Sequence, residues 1–377
     1  DSSTSRGLGD VYKRQLDGWI ILLIMGGLSI SFFSYQVIKA TRLVMLGAPD
    51  NRFDSWGIRI KEMLVGWLGQ KKVLRDKIAG TMHVLMFWGF LMLGSDMLDL
   101  VSANYFSEHI LPSFLNNPWN GIVELGYTAA LLGALAALIR RVLFTPEKLK
   151  GKSQLEGNFI LVLILTITST SFIIESPENP DSLWEPFGFW VSGLGLSENF
   201  IVASYWAHMV SICCFLILIP LSKHMHLVMA IPNVFFHDTQ ASGKMRPLAI
   251  GDDGKAVPLE DLDIDSFGVS TFDQYTWRQI IDGWSCTSCA RCQDVCPAYE
   301  SGKGLNPMQV IHDVRDYANE YAPILLRGEN PEETMLARIT SEAVWACTTC
   351  NACVDICPLY IEHVPKLTEL RRNAMME

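Results

Sequence analysis

Five long apolar stretches occupy much of the chain before residue 222 and predict membrane-spanning helices. They lie near Trp19–Leu46, Ala79–Val101, Gly121–Leu143, Asn158–Ile174 and Phe200–Leu221. A helix that crosses a bilayer needs about 20 predominantly apolar residues. Each stretch could instead be a buried helix of a soluble core. Five in succession with almost no internal charge favour a membrane bundle.

Basic residues are concentrated in every second loop between these stretches, which predicts the orientation of the chain in the membrane. Residues 39–77 hold nine Lys and Arg and residues 140–152 hold five, whereas residues 102–118 and 177–198 hold none. Short loops rich in Lys and Arg remain on the cytoplasmic side. We therefore predict an inner-membrane protein of a prokaryote, with its N-terminus outside and the chain after the fifth span in the cytoplasm.

After the fifth span the pattern becomes that of a soluble helical domain. Asn306-Pro307 begins a segment with apolar residues at helical spacing, and Pro331 with two following glutamates suits the first turn of another helix. We predict an all-α fold in three parts. They are a five-helix transmembrane bundle at residues 16–231, a linker rich in Gly, Pro and Asp at 232–275, and a cytoplasmic helical domain at 276–377.

The first fifteen residues, DSSTSRGLGDVYKRQ, are polar and precede the first apolar stretch. DVYKRQ is the translation of GATGTGTATAAGAGACAG, which resembles a transposon end used to build sequencing libraries. We therefore interpret residues 1–15 as an adapter artefact, in preference to a genuine polar N-terminus, and exclude them from the fold. The native chain is expected to begin near Leu16.

Composition agrees with a membrane protein and limits its partners. Apolar residues make up 49% of the chain, and the net charge is −10. Residues 1–230 hold 18 Lys and Arg against 18 Asp and Glu, whereas residues 231–377 hold 12 against 22. Phosphate binding needs a basic face. We therefore expect membrane lipid, and no nucleic acid, among the partners.

Two histidines lie where a membrane helix meets the cytoplasmic side, and ionisable side chains in membrane segments often mark functional sites. His83 is near the cytoplasmic start of the second stretch, and His226 lies at the inner end of the fifth. Two imidazoles from facing helices at equal depth suit the axial positions of haem b. The alternative is an interfacial histidine that reaches toward water, which fits His224 best.

A third histidine, His208, has no obvious partner. It lies 18 residues before His226, which is five turns of a straight helix, so we predict that both project from one face. They would lie about 27 Å apart along that helix and could not share one cofactor. Met92 stands near the position where a partner on the second stretch is expected. His208 could pair with Met92, line a quinone pocket or bind a second haem, and the sequence leaves these alternatives open.

Eight of the ten cysteines form two copies of the spacing C-x2-C-x2-C-x3-C-P. In this spacing three thiolates bind one [4Fe–4S] cluster, and the fourth usually binds the neighbouring cluster. We therefore assign a first set, Cys286, Cys289, Cys292 and Cys357, to one cluster, and a second set, Cys347, Cys350, Cys353 and Cys296, to the other.

Other uses of these eight cysteines fit less well. A tetrahedral zinc site does not need this rhythm of four cysteines twice. Disulfides are unfavourable on the reducing cytoplasmic side. The remaining two, Cys213 and Cys214 in the middle of the fifth stretch, are interpreted as small packing residues.

These features resemble known families. Five spans, histidines on the second and fifth, and the ending PLSKHMH resemble the quinol-oxidising gamma subunit of respiratory nitrate reductase over residues 16–235. His83, His208 and His226 match three of that family's four haem-binding positions, so the resemblance implies an inner haem bound by His83 and His226. The cysteine-rich domain resembles the alpha-helical ferredoxin of fumarate reductase and heterodisulfide reductase subunits.

The whole arrangement resembles the membrane-bound iron–sulfur oxidoreductases related to heterodisulfide reductase. The resemblance implies an oxidoreductase that carries electrons between the quinone pool, haem b, two [4Fe–4S] clusters and a soluble redox protein. That protein would be an electron-transferring flavoprotein or a disulfide-reducing partner. In that family, CCG domains with the catalytic centre follow the ferredoxin. Here the chain stops at LRRNAMME, so we expect the catalytic site beyond Glu377 and assign no catalytic residue.

One alternative from another class stays open. It is a non-enzymatic membrane receptor or scaffold whose cysteine domain binds structural zinc.

Overall fold

The computed structural model describes residues 18–106, 116–144, 152–175, 183–240, 243, 247, 257–261 and 267–375. Residues 1–15, interpreted above as an adapter artefact, lie outside this part. In the described residues the regular elements are helices, and one isolated β-bridge joins Ala48 to Thr276. The chain divides into two compact units. The first is Asp1–Phe33 with Val73–Leu218, and the second is Ser34–Lys72 with Ile219–Glu377.

Among the described residues before position 222, five helices are long and apolar enough to cross a membrane. In chain order the elements up to residue 235 are α1 (Trp19–Val44), α2 (Trp56–Glu62), a π-helix (Met63–Leu68), a 3-10 turn (Val73–Arg75), α3 (Lys77–Phe106), α4 (Asn116–Leu143), α5 (Lys152–Glu175), α6 (Pro186–Ser192), α7 (Glu198–Leu221), a 3-10 turn (Lys223–Met225) and α8 (His226–Phe235). The five are α1, α3, α4, α5 and α7. The predicted all-α fold with five candidate spans is therefore confirmed.

The C-terminal part consists of short helices, as predicted. Its elements are 3-10 turns at Leu259–Asp261 and Phe272–Gln274, α9 (Trp277–Ser285), α10 (Arg291–Asp294), α11 (Pro297–Glu300), α12 (Pro307–Glu320), α13 (Ala322–Leu325), α14 (Met335–Ile339), α15 (Ser341–Ala346), α16 (Ala352–Ile356) and α17 (His363–Ala374). Many of these helices are single turns. They are stabilised by caps and by the packing of their apolar faces, because a helix this short is unstable alone.

In the first unit, glycines bring α3 and α4 close together. A Cβ built on Gly89 would lie 2.5 Å from the Cβ of Ala130, and one on Gly133 would lie 2.9 Å from the carbonyl oxygen of Met82. Lipid tails are as apolar as the helix surface, so membrane helices associate through close backbone packing at small residues. Larger side chains at these glycines would force the two helices apart.

In the second unit, one apolar core joins the end of α1 to the cysteine-rich domain. Leu43 of α1 and Met229 of α8 belong to the same buried cluster as Phe272, Ile280 and Val314. Each of these five residues is at most 5% exposed. Burying a side chain of this kind contributes about 1.5–3 kcal/mol. The helices that carry the cysteines therefore fold onto the membrane-proximal segments of this unit.

A close backbone contact strengthens this attachment. The Ala48 amide donates to the carbonyl of Tyr275 at 2.8 Å, and the Trp277 amide donates to the carbonyl of Ala48 at 3.1 Å. A Cβ on the preceding residue, Gly47, would lie 2.6 Å from the Trp277 nitrogen. Glycine is required at that position because no side chain fits between the two segments.

Six charged side chains form a buried ion network in the second unit: Asp50, Arg52, Arg278, Asp282, Glu362 and Lys366. Arg278 and Asp282 lie one turn apart on α9, with both side chains 0% exposed and 2.8 Å between the guanidinium and the carboxylate. Lys366 donates to the second oxygen of Asp282, and Arg52 donates to Glu362 at 3.0 Å. Three cations thus balance three anions.

The ion network also holds the carboxylate of Asp282 in its charged form. Burial by itself would raise the pKa of Asp282, but Arg278 and Lys366 outweigh burial and hold this pKa far below its usual range. Hydrogen bonds from the Arg278 guanidinium to the carbonyls of Phe236 and Tyr360, both at 3.0 Å, use its remaining donors. Buried charges are tolerated when paired and hydrogen-bonded in this way.

The predicted straight helix through His208 and His226 is wrong. α7 ends at Leu221, one residue after Pro220, which has no amide hydrogen and disrupts the preceding turn. Ser222 is then extended, with φ −129° and ψ 177°, and its hydroxyl accepts a hydrogen bond from the His224 amide. The chain restarts as a 3-10 turn, and His226 begins a new helix. The two histidines therefore do not share one helical face.

The two helix starts predicted in the C-terminal domain had different outcomes. The start at Asn306 is confirmed, because its side chain caps α12 (Pro307–Glu320). The start at Pro331 is wrong, since the helix begins at Met335. Thr334 accepts the Ala337 amide there at 3.2 Å. A side-chain cap satisfies an otherwise unpaired helix amide, which a proline with following glutamates does not do.

Both described ends of the segment 232–275, predicted as a linker, are packed in the second unit. Asn233 donates to the carbonyl of Leu359 at 2.7 Å, and Phe272 and Tyr275 are 0% exposed. Most of the residues from 241 to 266 lie outside the described part of the chain. The structure thus places the two ends of this segment with the cysteine-rich domain.

Replacing Asp282 with Asn should lower the free energy of unfolding of the second unit by about 3–5 kcal/mol, because it leaves Arg278 and Lys366 buried beside a neutral amide. The measurement is the thermal unfolding midpoint in detergent, checked by the rate of limited proteolysis. Asp261→Asn, an exposed position, is the matched control. Equal midpoints for the two variants would contradict the role of the network.

Candidate iron–sulfur and haem sites

The two cysteine motifs have the same unusual backbone. The φ angles are 54° at Ser288, 61° at Ala290, 55° at Thr349 and 60° at Asn351. The left-handed conformation costs a residue other than glycine about 1–2 kcal/mol. The same cost at equivalent positions of both loops indicates one shared structural requirement.

In each loop, the left-handed residue two positions after the first cysteine points its backbone amide at the sulfur of that cysteine. The Thr349 amide donates to the Sγ of Cys347 at 3.4 Å. At the equivalent place in the first loop, the Ser288 amide donates to Cys286 and counteracts the effect of burial on that thiol's pKa. Backbone amides that converge in a left-handed turn form a pocket for negative charge. Each loop therefore offers a backbone amide to the sulfur of its first cysteine.

The structure brings the first set together from both motifs. Cys286 and Cys357 pack against the same buried side chain, Ile311. Cys289 raises the thiol pKa of both, and Cys292 interacts with all three. Cys357 is the fourth cysteine of the second motif. The fourth cysteine of the first motif, Cys296, lies 61 residues earlier.

The second set surrounds a cavity. Cys347, Cys350 and Cys353 of the second motif line it together with Cys296 of the first motif. The empty space among these side chains is about 330 Å³, including space that is open to solvent. Its remaining wall is mostly apolar, with Leu305, Pro307, Val364 and Leu367 among the lining residues.

Burial makes the thiols of both sets weakly acidic. It raises the pKa of Cys286, Cys353 and Cys357 to about 12, and the pKa of Cys292 rises further still. Neighbouring cysteines add to each shift, because one thiolate disfavours another close to it. Metal ligation requires thiolates. Loading either set with metal must therefore displace protons, and the metal's positive charge must repay that cost.

The spacing of the side chains argues against a single metal ion. Among the described residues, no three His, Cys, Asp or Glu side chains are close enough to hold one ion. Four thiolates on one zinc ion would each lie about 2.3 Å from it. A cube binds each thiolate through a different iron, so its ligands are farther apart. The cysteine spacing, present twice in the chain, is the one known for ligands of such cubes.

A histidine lies beside each set, and the sequence analysis missed both. The Nε2 of His312 is 3.6 Å from the Sγ of Cys286 and 3.1 Å from the hydroxyl of Ser288. His363 lines the cavity of the second set, and its Nδ1 bonds to the carbonyl of Ile361 at 3.2 Å. Burial lowers the pKa of both histidines to about 4. Neither belongs to a motif, so only the tertiary structure reveals them.

In the first unit, the structure places His83 on α3 and His208 on α7. His83 of α3 stacks on Phe87 with ring centroids 6.5 Å apart. The Nδ1 of His208 lies 3.1 Å from the carbonyl of Ile167 and 2.9 Å from the hydroxyl of Thr170, both on α5. A carbonyl can only accept, so Nδ1 carries the proton and Nε2 keeps its lone pair. Imidazoles held in this way are suited to metal ligation.

Met92, the suggested partner of His208, packs elsewhere in the first unit. A Cβ built on Gly126 of α4 would lie 2.6 Å from the Cβ of Met92. Met92 therefore fills the contact between α3 and α4, while His208 bonds to α5.

In the second unit, His226 is held in the same manner as His208. It is the first residue of α8, and its Nδ1 lies 2.8 Å from the carbonyl of Lys223. Burial lowers its pKa, which favours the neutral imidazole that metals bind. His224 instead orients toward Ser222, with its Nδ1 3.1 Å from the hydroxyl. The side chain of His226 thus has the tautomer of a ligand through Nε2.

Glu124 is a buried carboxylate in the third span that the sequence analysis also missed. It is 8% exposed. Its two oxygens accept the amides of Phe187 at 2.8 Å and Gly188 at 3.0 Å. The carboxylate thereby satisfies the free amides that begin α6. An acidic residue inside an apolar stretch was the signal available in the sequence.

Comparison with known proteins agrees with the cysteine pattern. The family model described as a 4Fe-4S dicluster domain matches residues 278–358. The chain is 29% identical to the EtfAB:quinone oxidoreductase of Syntrophomonas wolfei, over 95% of this chain and 54% of that protein. It is 28% identical to the probable iron-sulfur-binding oxidoreductase FadF of Bacillus subtilis, over 95% of this chain and 56% of that protein.

A shorter similarity concerns a membrane protein. The chain is 34% identical to a probable membrane-anchored ferredoxin of Chromohalobacter salexigens, over 34% of this chain and 22% of that protein. No solved structure matches the chain. The chain spans about half the length of the two longest-matching relatives. The homologues of this chain are therefore iron–sulfur oxidoreductases of electron transfer, and its residues 278–358 correspond to a 4Fe-4S dicluster domain.

Proposed function

We propose that the protein is a membrane-bound oxidoreductase that transfers electrons between the quinone pool and a soluble redox partner through haem b and two [4Fe–4S] clusters. One observation carries the proposal. The two loops have the same cysteine spacing, and the fourth cysteine of each lies near the first three cysteines of the other. Each group of four thiols therefore contains cysteines of both motifs. A structural domain has no need of two such adjacent sites, whereas electron transfer does.

The first set would hold one cluster and the second set the other. The two sites are adjacent, because Cys292 of the first set and Cys353 of the second belong to one buried cluster and interact electrostatically. Cys350 is exposed, whereas Cys286 and Cys357 are buried. We assign the second cluster to exchange with the soluble partner on this ground. The first would then be the one that connects to the membrane part.

We further propose that His83 and His226 are the axial ligands of one haem b. The predicted positions of His83 and His226, near the cytoplasmic ends of the second and fifth apolar stretches, support the pairing, and so does the tautomer of His226. A haem with two histidine ligands has no open iron position, so it relays electrons and does not activate oxygen. For His208, whose Nε2 lone pair is likewise available, we propose a role at a quinone site or a second haem.

The partners follow from the relatives. One of them is named an EtfAB:quinone oxidoreductase, so we propose quinone in the membrane and an electron-transferring flavoprotein on the cytoplasmic side. The predicted orientation, with basic loops inside, puts the cysteine domain on that side. The rest of the relatives' length holds roughly as many residues again.

The rival function is a membrane receptor or scaffold with a structural zinc domain. The spacing of the cysteines favours clusters over single ions. The purified protein should show a reducible haem band and the broad absorption of iron–sulfur clusters. A colourless protein that contains zinc would establish the rival function instead.

Cys296→Ser should abolish the second cluster and keep the first, and Cys357→Ser should do the reverse, because each fourth cysteine binds the cluster of the other motif. Each variant should retain about half of the wild-type cluster iron. Iron analysis and electron paramagnetic resonance of the reduced protein measure both losses. Cys213→Ser, in the fifth span, is the control and should keep both clusters. Loss of the first cluster in Cys296→Ser would refute the exchange of ligands.

Replacing His83 or His226 with Leu should abolish the same haem and leave both clusters intact, because one axial ligand does not hold a bis-histidine haem. The pyridine haemochrome assay gives the haem content, and the iron–sulfur signals give the cluster content. His224→Leu is the matched control, two residues from His226, and should keep the haem. Unchanged haem in either ligand variant would rule out the pairing.

A further inference from the structure

One polar side chain outside the cysteine motifs approaches a sulfur directly. His312 lies on α12, where Met308, Ile311 and His312 share one face. Met308 and Ile311 pack on the apolar surroundings of Cys286 and Cys357. Their packing fixes the register of the helix and directs the His312 ring at the first loop. The Nε2 of His312 comes to 3.6 Å from the Cys286 Sγ, a normal hydrogen-bond distance for sulfur.

The chemistry of the two partners decides the direction of this bond. A cysteine bound to iron is a thiolate, which has no proton to donate and can only accept. Nε2 must therefore carry the hydrogen when the first cluster is bound. The hydroxyl of Ser288, 3.1 Å from the same nitrogen, can accept a share of that hydrogen. Cys286 then receives two donors, the Ser288 amide and the His312 ring.

The corresponding cysteine of the second motif has a different environment. Cys347 accepts the Thr349 amide at 3.4 Å. The cation beside it, Arg371, donates to the backbone carbonyls of Val344 and Cys347. Thr349 directs its hydroxyl to the carbonyl of Thr348. The two loops share their backbone but differ in the side chains that reach sulfur.

We propose that His312 donates a hydrogen bond to the Cys286 ligand of the first cluster and thereby raises the reduction potential of that cluster. The inference rests on the proposed function, since it requires the two clusters to be bound. Reduction adds one electron and no proton, converting [4Fe–4S]²⁺ to [4Fe–4S]⁺. A donor to sulfur stabilises the added negative charge, and hydrogen bonds of this kind are among the factors that set cluster potentials. His312 is thus a positioning and tuning residue and not a ligand.

The test compares His312→Leu with His312→Gln. Leu removes the donor, whereas the Gln side-chain N–H can take the place of the ring N–H. In potentiometric titrations followed by electron paramagnetic resonance, His312→Leu should make reduction of the first cluster about tenfold less favourable, which is about 59 mV for a one-electron couple. The potential of the second cluster should not change, and His312→Gln should restore most of the loss.

A measurement on the unaltered protein gives an independent check. With ¹⁵N-labelled histidine, the reduced first cluster should show a weak magnetic coupling to a histidine nitrogen, and this coupling should persist when His363, which lines the second site, is replaced with Gln. The same coupling identifies which potential belongs to the first cluster. If the His312→Leu variant does not bind the first cluster, this coupling still tests whether His312 donates to Cys286.

The outcomes separate the two proposals. Two bound clusters with no histidine coupling, or with equal potentials in His312→Leu and wild type, would overturn the role of His312 and leave the proposed function standing. Equal shifts of both clusters would also overturn it, since they would indicate a general disturbance. A wild-type protein that binds no cluster would overturn the proposed function and this inference together.

Discussion

The arrangement of the first cysteine set depends on the buried ion network around Asp282. Asp282 lies four residues before Cys286, and Glu362 lies five residues after Cys357. Asp282 accepts the Glu362 amide at 3.1 Å, so the network joins the end of α9 to the loop that follows the second motif. Because that junction is buried and fully paired, the two cysteines from distant parts of the chain are held side by side.

The same network reaches the segment that follows the first span. Arg52 bonds to Glu362, and Asp50 bonds to Arg52, in one connected set of charges. A buried pair that loses one member leaves an unpaired charge, which costs far more than the pair itself contributes. The network therefore acts as a constraint on geometry more than as a source of stability. It makes the residues around residue 50 part of the cysteine-rich unit.

The two cysteine loops share one backbone conformation but have different side chains around them. Both accept strained left-handed residues so that amides face sulfur. Their backbones are alike because both must stabilise thiolates, but their side-chain surroundings differ. His312 reaches the first loop, whereas Arg371 bonds to carbonyls beside the second. On the proposed function, this difference between the two sites would give their clusters different reduction potentials.

Sequence reasoning succeeded where a short-range rule applies. Bilayer thickness sets the length of an apolar span, and the cysteine spacing of a cluster loop is set by bond lengths within about ten residues. The five spans, the α12 start at Asn306 and the match to a dicluster domain followed from such rules. The helix start at Pro331 failed because the cap at Thr334 competed with the proline signal. The straight α7 failed because Ser222 starts a new turn after Pro220.

By itself, the sequence determined the fold class, the five apolar helices and the positions of the eight cysteines that form the two motifs. Only the tertiary structure decided which residues lie beside them. His312 is 26 residues from Cys286, and Arg52 is 310 residues from Glu362. Neither contact leaves a periodic or motif signal, because each depends on packing between elements whose relative position the local sequence does not encode. The proposed ligands could therefore be read from spacing, whereas the groups proposed to orient and tune them required the folded chain.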